Sequence, residues 1–340
     1  MKKLQIINLM IVFTLLSQTV KSQEITNDFY DDAETFILKG LTTIQVAGEI
    51  GNPEVIDITA LPLRSLIIKE ALADGDSNRF IGAFRYDGYS LYDILNHVIL
   101  KKKNEAEFPP IIDIFVKVEN DQGETVVISW GEIYYPVHRH EIIIATKVAR
   151  IVPSKTKDLW PLPEETKLII STDLLTERNI PNPSKITVYS ASASFPINRE
   201  LSPLFSPVVK IFIGDKYLDE IVTSPVLAQK MKYETIFYGR GRGIHSTTPF
   251  RGSLLKEALQ PYFSINRENL RRGYFIIASV DGYRCIYTLS EIFNRNDQAE
   301  LLLIEDQKND DGGTFRLFPA ADFFSDRAIK AVSEIRLMTD

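Results

Sequence analysis

Short runs of β-branched and aromatic residues carry most of the hydrophobic pattern. Phe115–Val118, Thr125–Ser129, Ile142–Ala145 and Lys167–Ser171 each have strand length and strand composition. Gln122-Gly123 in one region, and Asp281-Gly282 in another, have the chemistry of a tight turn joining two strands. Helical spacing occurs at Leu91, Ile94, Leu95 and Val98, and again at Leu254, Leu255, Ala258 and Leu259. Strands outnumber helices and no βαβ alternation appears. The pattern therefore predicts an α+β class, strand-rich with a mixed sheet and a strand-built core.

The pattern also repeats. Phe115–Ile133 lies 159 residues before Tyr274–Ile292, with Gly123 matching Gly282 and Glu132-Ile133 matching Glu291-Ile292. Asp173–Ile180 matches Asp322–Ile329 at an offset of 149, and Gly88–Leu95 matches Gly252–Leu259 at 164. Three matches in one order predict two copies of a domain, at 37–190 and 207–340. Residues 191–206 join them and are rich in serine and proline, the composition of an extended linker.

The N-terminus has a different character. Lys2 and Lys3 precede an apolar run from Ile6 to Leu16, and small residues follow at the spacing of a cleavage site. Residues 1–22 read as a signal peptide and 23–36 as a polar leader, so a periplasmic or secreted location is expected. Removing 1–22 takes away three lysines and no acid, which moves the net charge from −6 to −9. So acidic a chain repels phosphates in bulk, and nucleic acid is not an expected partner. After the signal no apolar stretch is long enough to predict a membrane span. A single cysteine closes no intramolecular disulfide and builds no multi-thiolate metal site.

Gly88-Tyr-Ser-Leu-Tyr-Asp-Ile-Leu95, the strand ending at Gln122-Gly123, Glu141-Ile-Ile-Ile-Ala145, and Arg178-Asn-Ile180 before Lys185-Ile-Thr-Val188 follow one another in order. Together with Ser279-Val-Asp-Gly-Tyr283 in the second copy, this series resembles the molybdopterin-binding domain of sulfite oxidase and its relatives. The resemblance implies that domain's fold, duplicated in tandem, with molybdopterin as the cofactor to consider. It also implies a cysteine ligand to molybdenum about a dozen residues before Gly88 or Gly252, and neither region holds one. The chain thus resembles the framework of the family without its catalytic centre.

Four groups of residues are candidates for chemistry. Cys285, the lone thiol, matches Val126 of the first copy, an aliphatic position that favours core packing. His138 and His140 stand two apart, so on a strand both rings would face one metal, with Glu132 or Glu141 as a third ligand. Gly239-Arg-Gly-Arg-Gly243 precedes His245-Ser-Thr-Thr248, and such a loop offers backbone N–H groups and guanidinium forks to an anion. Arg240, Arg242, His245 and Arg251 are the donors expected there. Arg178 and Arg327 each follow an acid, Glu177 or Asp326, and read as matched surface ion pairs. The expected function is an exported, non-catalytic binding protein for an anionic small molecule or a partner protein. A periplasmic molybdopterin-dependent oxidoreductase with an atypical metal site is the alternative.

Overall fold

The computed structural model describes residues 34–339 except 76, 154, 194, 226–227, 242 and 307–311. The expected signal peptide and nearly all of the leader lie outside the described residues. Ten strands build the first half: β1 (Thr35–Ile37), β2 (Thr43–Gly48), β3 (Glu54–Asp57), β4 (Leu63–Asp74), β5 (Ser77–Ser90), β6 (Ile114–Asn120), β7 (Thr125–Ser129), β8 (Ile142–Arg150), β9 (Lys167–Ile170) and β10 (Pro183–Ser190). Helix α1 (Leu91–Leu95) follows β5, and α2 (Trp130–Tyr134) follows β7.

The second half adds β11 (Val209–Ile213), β12 (Lys216–Ile221), β13 (Lys230–Tyr233), β14 (Phe237–Gly239), β15 (Gly243–Ser246), β16 (Phe250–Leu254), β17 (Gly273–Ser279), β18 (Arg284–Thr288), β19 (Leu302–Glu305), β20 (Phe315–Phe318) and β21 (Val332–Thr339). Its helices are α3 (Leu255–Leu259), α4 (Arg267–Arg272) and α5 (Leu289–Phe293). Each half contributes one five-stranded sheet with the same order, β3-β2-β10-β6-β7 and β12-β11-β21-β17-β18. In both, the last strand of the half runs parallel to the first of the central pair and antiparallel to the other neighbour. The outer sheets run β1-β8-β5-β4, with β9 on β8, and β13-β16-β19-β20; a β14–β15 hairpin stands apart.

This architecture corrects the expected class. Strand accounts for 47% of the structure and helix for 12%, and the small sheets are arranged like a four-bladed β-propeller, not as an α+β sulfite-oxidase-type domain in tandem. The reason lies in the helical-period runs, which are real but brief. Ser90 caps α1 by accepting from the Asp93 N–H, and the helix stops at Leu95, five residues on. A helix of that length turns a corner between strands and cannot form a layer. Among the described residues no helix is long and apolar enough to cross a membrane.

The two sheets of matching order pack face to face, which explains why β6 and β17 are almost continuously buried instead of alternating. Phe115 of β6 stacks on Tyr274 of β17 at 4.6 Å, among Val127, Ile276, Ala278 and Ile286.

Beside this contact lies a buried ion network. Arg178 is 0% exposed and Arg327 2%. The Arg178 guanidinium donates to both oxygens of Asp173 at 2.9 and 2.7 Å, and to Glu132 at 3.0 and 2.5 Å. Arg327 likewise grips Asp322 at 2.8 and 2.7 Å and Glu291 at 2.7 Å. The two clusters interlock across the halves. Ser129, which caps α2, donates to Glu291 at 2.6 Å, while Thr288, which caps α5, donates to Glu132 at 3.3 Å. The expected surface pairing of these arginines is therefore wrong in depth. Their chelating partners come from five residues upstream and from the distant strand-to-helix corners, not from the preceding acids.

Candidate functional site

The β14–β15 hairpin, the β17–β18 turn, β20 and the segment after it enclose a cavity of about 580 Å³ in the second half. One wall is aromatic. Phe250 stacks on Phe318 at 4.5 Å, and Phe237 meets them edge-on at 5.1 and 6.0 Å. The other lining is polar: His245, Ser246, Ser279, Asp281, Tyr283, Ser325, Arg316 and Lys330. Among the described residues the charged groups of this lining are Lys330, Arg316 and Asp281.

Local chemistry fixes several of these groups. The turn is set by Asp281, whose carboxylate accepts from the Tyr283 N–H at 3.0 Å, and by Gly282 at φ +85°. The Tyr283 hydroxyl donates to the Asp326 carbonyl at 2.5 Å, and burial holds it well above the usual phenol range. Ser279 is 5% exposed, and its Oγ has no hydrogen-bond partner among the described residues. A buried hydroxyl without a partner costs stability. A bound acceptor would recover that cost.

The glycine–arginine segment has a different role from the one expected. It is the turn of the β14–β15 hairpin, in which Gly239 pairs with Gly243. A Cβ at Gly239 would lie 2.4 Å from His245 Nε2, so glycine is needed there to seat the imidazole rather than to cradle an anion. Arg240 turns away from the cavity, donating to Asp326 at 2.8 Å with its guanidinium 5.9 Å from the Tyr135 ring. Burial pushes the Tyr135 hydroxyl up to about 12, against the opposing pull of Arg240. Arg251 lies exposed on β16 and does not line the cavity. Arg242 lies outside the described residues. Of the three expected donors among the described residues, His245 alone lines the cavity.

His138 and His140 do not share a strand face, because they precede β8 and His140 sits at φ +68°. Nδ1 of His140 is 3.0 Å from Ser90 Oγ and 3.5 Å from Asp93, and the ring packs edge-on against Tyr92. Desolvation holds this imidazole below its ordinary range even though Asp93 pulls the other way. Among the described residues no group of three or more His, Cys, Asp or Glu converges to hold a metal.

Residues that sequence reasoning missed are Ser279, Asp281, Tyr283, Ser325, Lys330 and the phenylalanine wall. A signal for three of them was present, since Ser279-Val-Asp-Gly-Tyr283 stood out as a hairpin motif. Its outward-facing chemistry was not read.

A second cavity, of about 710 Å³, occupies the corresponding place in the first half. The repeat offsets carry Asp281, Tyr283, Arg316, Ser325 and His245 onto Gln122, Glu124, Lys167, Thr176 and Ile81, all of which line it. Among the described residues no aromatic side chain lines this cavity, and five glutamates face Lys167, Arg267 and Arg271.

Cys285 is fully buried in the second-half core, its thiol driven well above the normal range by desolvation, and it lines neither cavity. A molybdenum centre needs an open thiolate, so the residues present do not fit that group. Compared with models of known protein families and with curated protein sequences, the chain matches none.

Proposed function

We propose that this chain is a small-molecule binding protein whose ligand occupies the second-half cavity. The ligand is an anionic molecule with an aromatic or apolar body. One observation carries this reading: a cavity of about 580 Å³ with a three-phenylalanine wall opposite a polar lining that includes the Lys330 ammonium and the Ser279 and Ser246 hydroxyls. An aromatic body would stack on Phe250 and Phe318 and bury apolar surface there. Its acidic end would face Lys330 and Arg316, with Ser279 and Ser246 as hydroxyl donors. The lysine- and leucine-rich N-terminus supports export of this binding protein.

Fluorescence titration with anilinonaphthalene sulfonate, an anionic aromatic probe, tests the reading. The wild-type protein should bind one equivalent at the cavity. Lys330→Ala should weaken binding roughly tenfold, the scale of one charge-assisted hydrogen bond. Unchanged affinity in that variant would remove the cavity from the account.

A further inference from the structure

We propose that the first-half cavity is a second, independent binding site, for a zwitterionic amine of the basic amino acid class. The site does not depend on the reading of the second-half cavity, and its chemistry is the opposite. Most of its charges are already matched. Lys167 donates to both oxygens of Glu70 at 2.8 and 2.7 Å. Arg271 donates to Glu124 at 2.9 Å, and Arg267 lies 3.2 Å from Glu177. Two carboxylates are left over at the rim. Glu164 has only a loose, exposed contact to Lys39 at 3.9 Å, and Glu165, which lines the cavity, forms no ion pair among the described residues. These are the groups that attract an ammonium ion.

A second observation points to the same place. Asn179 lines the cavity and is 8% exposed; its Oδ1 accepts from the Ile170 N–H at 3.0 Å, but its Nδ2 has no acceptor among the described residues. A buried amide donor left in this state calls for an oxygen from outside the chain. A ligand that brings a cation and an acceptor together, as an amino acid does with its ammonium and carboxylate, would answer both the rim carboxylates and this amide. A saccharide fits less well, because among the described residues no ring lines the cavity for a sugar to stack on. A bare metal ion is not supported, since no metal-ligating group forms among the described residues.

The site is also bipartite. Arg267 and Arg271 come from α4 of the second half, and Arg271 Nε additionally donates to the Glu177 carbonyl at 2.7 Å. A ligand held there touches both halves.

Calorimetric titration of the full chain with L-lysine, and with putrescine as a dication without oxygens, tests this. L-lysine should bind with a Kd below about 1 mM and putrescine roughly tenfold more weakly. The double variant E164Q/E165Q, altered only at the rim, should lose about tenfold in L-lysine affinity while its circular dichroism stays unchanged. No L-lysine binding at that concentration, equal binding of putrescine, or unchanged affinity of the double variant would each overturn the proposal.

Discussion

The two cavities occupy matching places in halves with one sheet order, yet their linings have diverged in both charge and shape. In the second half Phe237, Phe250 and Phe318 make an aromatic wall, and the charged groups among the described residues are Lys330, Arg316 and Asp281. Among the described residues of the first-half lining that wall is missing and carboxylates outnumber cations five to three. The Tyr283 position illustrates the change. There the hydroxyl bonds to a backbone carbonyl and the ring packs edge-on against Phe108, whereas the matched Glu124 pairs with Arg271 of the opposite half. A fold can hold its scaffold fixed while such lining positions set the ligand, since function resides in the site and not in the fold.

What the halves share should be the most sensitive to change. Replacing Arg178 or Arg327 by Met leaves two buried carboxylates without their guanidinium, and each variant should lose about 3–5 kcal/mol of stability by urea denaturation. Comparable losses would show that the junction is energetically two-sided. A neutral result for one of them would break the symmetry on which the comparison rests.

Next in size is the aromatic wall. Phe318→Ala should cost about 3 kcal/mol and also weaken the anionic aromatic probe, because the stack with Phe250 is lost. L-lysine binding at the other cavity should be untouched.

A subtler asymmetry sits inside the junction. Desolvation opposes ionisation of both Glu132 and Glu291, but Arg327, Ser129 and Thr288 together hold Glu291 below the usual carboxylate range, whereas burial holds Glu132 above it. A depressed folded-state value gives stability that is present above the unfolded value and lost as pH falls. A raised value gives stability that is present below the unfolded value and lost as pH rises. Relative to wild type, Glu291→Gln should therefore do worse near pH 7 than near pH 4, and Glu132→Gln the reverse. Denaturation curves at both pH values read the sign directly.

The smallest effect belongs to Cys285. Its replacement by Ala should cost about 1 kcal/mol through lost packing and leave both titrations unchanged.

Much of the local structure was legible in the sequence. The turn glycines Gly123 and Gly282 take φ of +83° and +85°, as their hairpin reading requires. The runs at 115–118 and 125–129 are paired strands, and Leu91 and Leu255 open short helices. The class failed because periodicity gives the direction of a helix and not its length, and because the β4–β5 ribbon of 12 and 14 residues carries few β-rich signals. The place of Arg240 was hidden for a different reason. Glycines and arginines in alternation suggest an anion loop, but here glycine answers to the bulk of His245 and arginine to Asp326. Arg178 looked like a surface residue because its partner Glu132 lies 46 positions away. Sequence neighbours say little about a contact made through the fold.

The central claim is that the cavity of the second half, and not its counterpart, takes the anionic aromatic ligand. Matched plugs test it most directly. His245→Trp and Ile81→Trp change equivalent lining positions, one in each cavity. In titrations with anilinonaphthalene sulfonate, His245→Trp should abolish the single binding event while Ile81→Trp leaves it at wild-type affinity. Binding that survives His245→Trp, or is lost in Ile81→Trp, would contradict the account.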